Sequence, residues 1–338
     1  MTLRQLRYFT RIVEAGNITR AAEQLYVAQP ALGMQIRQLE ESLGVELLER
    51  HSRGVSPTRA GQALYERACE ILRLVHEAEQ QVAAAGRFDS EVVVLGLTNG
   101  FASIVGRALN HKARGEAPQL KLEIVEERSS VLVDRLERHE LDVALAYEVH
   151  ERPGLLRVPL VEEDMLFVTA GRGGRGRILR APVDFADVVR RDLVMPGKRD
   201  GVTQQLLATA RRLALDANVV LDVSSITTMR NMIAEGDAAA VMPYGNVVDD
   251  IRAGRLAGRR IVNPAIARTL YLVQSATRAA LKQEEALLAL IADVTRTFLN
   301  ELGGLARPLE ALEHPLGEAL AGVRTRMQRD KAGPSSNE

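Results

Sequence analysis

Between Asn17 and Arg37 the chain reads NITRAAEQLYVAQPALGMQIR, and the last part of this stretch carries the side chains best suited to base edges. A glutamine amide, as at Gln29 and Gln38, offers a donor and an acceptor together. Arg37 can reach guanine or a phosphate, and Met34 or Ala31 can touch a thymine methyl. At about 100° per residue, Pro30, Gly33, Met34, Arg37 and Gln38 share one helix face. That face carries few bulky groups, as suits a helix lying in a groove rather than buried in a core. Further on, Arg50, His51 and Arg53 crowd around Gly54 in a stretch that reads as a two-strand wing. A wing arginine, Arg53 above all, would meet the phosphates or the minor groove. Residues 1–60 hold eight arginines and six glutamates, so placement matters more than net charge.

The elements that must position this face follow from spacing. Leu3, Leu6, Phe9 and Val13 predict a first helix from Thr2 to Ala15, ended by Gly16. Thr19 is expected to cap a second helix through its hydroxyl and to stand at the DNA side. Ala21, Ala22 and Leu25 are its buried side, and Tyr26 to Ala28 make a turn. The third helix starts at Pro30, where a missing N–H costs nothing. Leu32, Ile36, Leu39 and Leu43 form its core stripe. Two helices about a tight turn, the second with an open face, point to a helix-turn-helix reading the major groove. A small helical bundle without nucleic acid is the alternative that periodicity leaves open.

The run AAEQLYVAQPALGMQIRQLEESLGVELLERHSRGVSPTRAG resembles the winged helix-turn-helix signature of LysR-type transcriptional regulators. The likeness covers the helix pair, turn, recognition helix, wing and the Thr58-Arg59-Ala60-Gly61 entry to the next helix. QPALGMQIRQLEE and RHSRGVSPT look most like the branch containing nitrogen assimilation control regulators. Two positions depart from the family. Gly33 stands where a Ser or Thr hydroxyl usually contacts DNA, and Met34 stands where many relatives are basic or polar. Weight therefore shifts to Gln29, Arg37, Gln38 and Arg53.

Residues 1–58 are thus read as the winged DNA-binding domain. Residues 59–86 form a connecting helix in which Leu64, Ala68, Ile71, Val75, Ala78 and Val82 make an a/d seam suited to pairing with a second helix. The resemblance implies pairing with the partner copy's helix, a homotetramer built from such dimers, and RNA polymerase as a further partner. Gly86 to Ser90 reads as a hinge.

Beyond the hinge, strand runs at Val92–Leu97, Leu120–Val125, Leu141–Tyr147, Met165–Thr169, Leu193–Met195, Val219–Val223, Ala239–Met242 and Thr269–Gln274 alternate with helical patterns. A helix follows from about Ala280 to Leu302. This predicts a parallel α/β sheet. Two such units look like a periplasmic-binding-protein fold, the effector domain of the resembled family. Lobe I would span 91–162 and 266–302, and lobe II 163–265. VSSITTMRNMIAEGDAAAVMP resembles the family's helix-to-strand segment but has Ala238 where a second glycine is usual. Ligands of open α/β sheets bind where strands end and helices begin. The candidates are Thr98, Asn99 and Gly100; Ser129 and Ser130; Pro196, Gly197 and Thr203; and Ser224 and Ser225. Their hydroxyls and backbone N–H groups favour a small anion, with Lys198 and Arg199 at the lip. Each hydroxyl taken singly is also an ordinary helix cap.

The 338 residues carry 44 basic and 44 acidic side chains, so net charge assigns no partner. One cysteine, Cys69, and the absence of an apolar span or signal pattern fit the cytoplasm. The six histidines lack metal-ligand spacing, so no metal or cofactor beyond a small effector is expected. No catalytic constellation appears, and the chain is read as not an enzyme. Gly171 to Gly176 fits G-x-G-x-x-G but opens no helix before Pro182, so it is not a dinucleotide site. Residues 303–338 are expected to form a partly disordered extension with a short amphipathic helix within Leu305–Met327. A solute-binding module or a cleft enzyme is the competing reading, and neither explains the first 86 residues.

Overall fold

The computed structural model describes residues 1–25, 27–51, 54–85, 91–171, 178–198, 200–278 and 281–332. Tyr26, Arg53, the expected hinge at Gly86–Ser90, the glycine-rich loop after Gly171, Arg199 and the last six residues lie outside them, as do the side chains of Arg50 and Val82. The chain divides into two compact units, Met1–Asp89 and Ser90–Glu338.

The first unit runs α1 (Leu3–Ala15), α2 (Ile18–Gln24), α3 (Gln29–Leu43), β1 (Leu48–His51), β2 (Gly54–Pro57) and α4 (Arg59–Ala85). Thr2 and Gln5 close a reciprocal capping box at the start of α1. Gly16 ends the helix in the left-handed conformation at φ 61°. The apolar stripe differs from expectation by one turn. Leu3 is 40 % exposed, whereas Ile12 joins Leu6 and Phe9 in the core. Thr19 does not cap α2. Asn17 does, its Oδ1 accepting from Thr19 N at 2.9 Å and Arg20 N at 3.1 Å. The Asn17 side chain sits one residue before the helix and reaches both orphan donors. Leu32, Ile36 and Leu39 of α3 pack with Ala21, Ala22, Leu47 and Val55, while Leu43 is exposed at the helix end.

The Thr58–Gly61 entry has a steric cause. Thr58 Oγ1 accepts from Gly61 N at 2.9 Å and donates to the Glu46 carbonyl at 2.8 Å. A Cβ on Gly61 would lie 2.0 Å from the Leu47 carbonyl oxygen, so no side chain fits. Along α4, Leu64 packs on the head's own core and Ala68 is buried. Ile71 and Val75 are half-buried, and Ala78 and Leu74 are exposed. The early positions of the seam therefore serve the head itself.

In the second unit the order is β3 (Glu91–Leu97), α5 (Asn99–Glu116), β4 (Leu120–Glu126), α6 (Ser129–Glu137), β5 (Val143–Tyr147), β6 (Leu155–Asp164), β7 (Leu166–Ala170), β8 (Ile178–Asp184), α7 (Phe185–Val189), β9 (Leu193–Met195), α8 (Gly201–Arg212), β10 (Val219–Asp222), α9 (Ile226–Glu235), β11 (Ala240–Met242), α10 (Val248–Arg252), β12 (Leu256–Val262), β13 (Ala267–Ser275), α11 (Glu284–Leu302), β14 (Ala306–Pro308) and α12 (Leu316–Ala332). Lobe I is a six-stranded sheet in the order β14-β6-β13-β5-β3-β4. Its faces are covered differently. Phe101 of α5 and Phe298 of α11 meet at 4.8 Å on one side. Leu132, Val133 and Leu136 of α6 cover Ala144 and Ala146 on the other. Every residue of β5 is buried, as a strand covered on both faces requires. Lobe II joins β11-β7-β12-β8 to the pair β10-β9. Phe185, Val188 and Leu206 cover one face, and Met229, Ile233 and Ile251 cover the other.

The sheets are mixed rather than parallel throughout. β3 pairs in parallel with β4 and β5, but β13 runs antiparallel to both β5 and β6. The reason is topological, because β6 carries the chain out of lobe I and β13 brings it back. The expected extension also differs. β14 adds to β6 through Ala306↔Glu163, Arg307↔Glu162 and Pro308↔Val161. Leu305, Leu312, Leu316 and Leu320 bury into the lobe I core, so β14 and α12 complete that lobe.

Candidate functional site

The first site is the outer face of α3. Gln29, Pro30, Ala31, Arg37 and Gln38 are exposed, as is Met34 at 55 %. Gly33 is half-exposed, and a Cβ there would meet nothing within 4 Å. Arg37 makes no ion pair with any described residue, whereas the Gln38 side-chain oxygen accepts from Gln35 at 3.1 Å. Thr19 and Arg20 are exposed at the start of α2. The wing is fixed from behind. Glu40 Oε1 accepts from Leu47 N at 2.8 Å, and Val55 N donates to the Gly16 carbonyl at 2.9 Å. Gly54 is required there, since its Cβ would lie 2.2 Å from the Gly16 oxygen. Glu40, at the C-terminal end of α3, links recognition helix and wing, a role with no sequence signal of its own.

The second site is a cavity of about 810 Å³ lined from both lobes. It gathers Ser129, Ser130, Pro196, Gly197 and Lys198, as well as Arg128, Tyr147, Glu148, Gln205 and Arg268. The six other expected residues, Thr98, Asn99, Gly100, Thr203, Ser224 and Ser225, do not line it. Thr98, Asn99 and Gly100 lie where the Tyr244–Asn246 turn closes over the start of α5. Ser103 Oγ donates to the Gly245 carbonyl at 2.6 Å, and a Cβ on Gly245 would lie 1.9 Å from the Gly100 oxygen. Backbone packs on backbone there, and neither Gly100 nor Gly245 has room for a side chain. Thr203 does not cap α8. Asp200 does, accepting from Val202 N at 2.9 Å, and the Thr203 hydroxyl is buried without a partner. Ser224 and Ser225 are exposed away from the cavity, and Ser225 caps α9 through Thr228 N.

Charge in the cavity is unevenly committed. Arg152 is held by Glu137 and Asp134. Asp200 is spent on its helix cap, and Glu148 Oε1 accepts from Thr269 N at 2.7 Å. Arg128 and Lys198 are exposed at the rim and pair with no described residue. Deeper, Arg268 is ion-paired to Glu163 at 2.9 Å and its guanidinium carbon stands 3.4 Å from the centroid of the Tyr147 ring. Burial and then Glu163 push the Tyr147 hydroxyl well above its ordinary range, so it keeps its proton. Burial works against the Arg268 charge, yet Glu163, Tyr147 and Asp200 together outweigh it and raise its pKa. Tyr147, Glu163 and Arg268 were not expected from sequence. Their only signal is polar residues at the ends of three strands, β5, β6 and β13.

Among the described residues no helix is long and apolar enough to cross a membrane, and no cluster of His, Cys, Asp and Glu could hold a metal. A winged helix-turn-helix head followed by a two-lobed domain with a ligand-sized cleft defines a ligand-responsive DNA-binding regulator. Comparison with known proteins agrees. Residues 3–62 match the family described as bacterial regulatory helix-turn-helix protein, lysR family, and residues 88–296 match the LysR substrate binding domain. The chain is 33 % identical over 287 residues to the nitrogen assimilation regulatory protein nac of Klebsiella aerogenes, covering 85 % of this chain and 92 % of that one. It is 32 % identical to the protein of the same name in Escherichia coli K12, covering 89 % and 97 %. Among solved structures, an OxyR C206 mutant of Corynebacterium glutamicum aligns with a TM-score of 0.55 at 25 % identity, covering 89 % and 92 %. CbnR complexed with its target DNA aligns at 0.57 and 24 % identity, covering 88 % and 100 %, a likeness of fold alone. The chain belongs to the LysR family of transcriptional regulators. It is a DNA-binding regulator with a substrate-binding domain for an effector. The family match ends at residue 296, before β14 and α12.

Proposed function

We propose that α3 reads the major groove through Gln29, Pro30, Ala31, Gly33, Met34, Arg37 and Gln38, with Thr19 and wing Arg53 on the backbone beside it. The effector is a small anion held in the cleft by Ser129, Ser130, Gly197, Arg128 and Lys198. The observation that carries this reading is the pair of uncommitted rim cations beside helix-start hydroxyls in a cavity of about 810 Å³. Paired cations and N–H groups at helix starts favour negative charge. Ligand occupancy shifts the balance between lobe arrangements and so between modes of DNA contact by paired heads. Pairing runs along the later part of α4, where Ile71, Val75, Ala78 and Val82 follow the seam. The protein acts in the cytoplasm as a homotetramer and engages RNA polymerase at its promoters.

Genome-wide mapping of sites bound by the intact chain tests this directly. The expected result is discrete promoter sites with two half-sites at a constant spacing, a direct consequence of paired heads. Single unpaired half-sites would overturn the pairing, and occupancy without a common sequence would overturn the reading face.

A further inference from the structure

Below the serines and rim cations, the floor of the cleft carries polar groups with unused bonding capacity. Glu163 on β6 and Arg268 on β13 stand directly opposite each other in the antiparallel register. These are the two strands that carry the chain between the lobes. Arg268 donates through Nε at 3.1 Å and Nη2 at 2.9 Å, and both bonds go to the same oxygen, Glu163 Oε2. Arginine–carboxylate pairs frequently make two parallel bonds to two oxygens. Here Glu163 Oε1 and the Tyr147 hydroxyl are buried without a close hydrogen bond, and their polar company is each other's side chain and Arg268. Arg268 Nη1 donates to no described residue, and the side chain lines the cavity. The Tyr147 ring beneath the guanidinium fixes its plane. Buried polar groups left open in this way are costly unless something else satisfies them.

We propose that Arg268 is the residue that reads the ligand's acidic group, through Nη1, and that the ligand is therefore an organic acid bound at the inter-lobe strands. The proposal rests on the cleft being the effector site and adds what the rim residues do not give, a fixed point of acid recognition. Its geometry makes one guanidinium the bridge between two carboxylates, the ligand's and that of Glu163. The two anions compete for one cation, so the ligand's charge is felt by the cross-strand pair where the lobes join. The protonated Tyr147 hydroxyl is a further donor within the same group. Ligand size, hydrophobic body and any second acidic group are then set by the wider cavity and by Arg128 and Lys198.

Saturation-transfer NMR on the full chain tests this with propionate and its neutral isostere propionamide as probes. Propionate is expected to bind and propionamide at equal concentration is not. Replacing Arg268→Gln is expected to weaken propionate about tenfold or more, the scale of a lost hydrogen bond to a charged group. Glu163→Gln, which removes the competing charge, is expected to tighten it severalfold. Because Arg268→Gln alone strands a buried carboxylate, the paired variant Glu163→Gln/Arg268→Gln is measured as well. It removes both charges, and it is expected to fold and to lose propionate. Propionate binding that survives in the paired variant but disappears in Arg128→Ala/Lys198→Ala overturns the role of Arg268 and leaves the cleft reading standing. Equal binding of propionate and propionamide overturns acid recognition, and no propionate signal from the unaltered chain overturns both.

Discussion

Replacing Glu163→Ala is expected to lower stability by about 3 kcal/mol. Glu163 is fully buried and Arg268 is the partner of its only bonded oxygen. Removing the carboxylate leaves a guanidinium in a poorly hydrated site with its compensating charge gone. Losing one partner of a buried pair costs about 3–5 kcal/mol, and the low end applies because the cavity admits water to Arg268. The pair also ties β6 to β13 where they leave lobe I, so the loss falls on strands both lobes depend on. The neutral pair Glu163→Gln/Arg268→Gln should lose less than the single change, because no unpaired charge remains. Urea unfolding of the three proteins checks this. A single variant as stable as the unaltered chain would show that the pair is solvated and not structural.

Replacing Arg37→Ala is expected to weaken binding to a mapped promoter site by about 1–3 kcal/mol, roughly 5- to 150-fold. Arg37 is exposed on the outer face of α3 and has no described acidic partner. Its guanidinium is therefore already free of competing bonds. The neighbouring Met34 gives only apolar contact, and Gly33 gives no side-chain contact at all. Fluorescence anisotropy across a range of salt separates two roles. Loss of a base contact relaxes sequence preference and leaves the salt slope unchanged. Loss of a phosphate contact weakens all sequences alike and lowers the slope by about one. Unchanged affinity and unchanged slope would mean that the reading face is rotated away from Arg37.

Much of the head is legible in the sequence because its devices are local. Gly16, Pro30 and the α3 stripe each act within a turn or two of chain, and the Thr58–Gly61 entry is legible as a motif although it packs on Glu46 and Leu47. Even there, the difference between Thr19 and Asn17 as cap turns on two residues of helix start. The second unit is less legible. β6 contains Pro159, and β8 contains Pro182, residues that argue against a strand. Both are accommodated beside shifts of register, between the partners Leu270 and Tyr271 in one case and Arg259 and Ile261 in the other. The extension reads as charged tail, yet Leu305, Leu312, Leu316 and Leu320 recur closely enough to bury a helix.

The cleft divides the same way. Ser129, Ser130, Pro196 and Gly197 follow from the rule that ligands gather at strand ends, and the cavity contains them. Thr98 to Gly100 obey the same rule but are covered by a turn almost 150 residues away in sequence, Tyr244–Asn246. No local pattern announces that closure. Glu163 and Arg268 are 105 residues apart, and only strand register makes them neighbours.

On the proposed function, residues 1–58 do the sequence reading and the second unit does not. Anisotropy titration of one mapped promoter fragment with the intact chain, and with a chain lacking residues 1–58, tests it most directly. The intact chain is expected to prefer that fragment over scrambled DNA by a wide margin. The shortened chain, still folded by circular dichroism, is expected to show no preference. Retained preference for the fragment in the shortened chain would contradict the account.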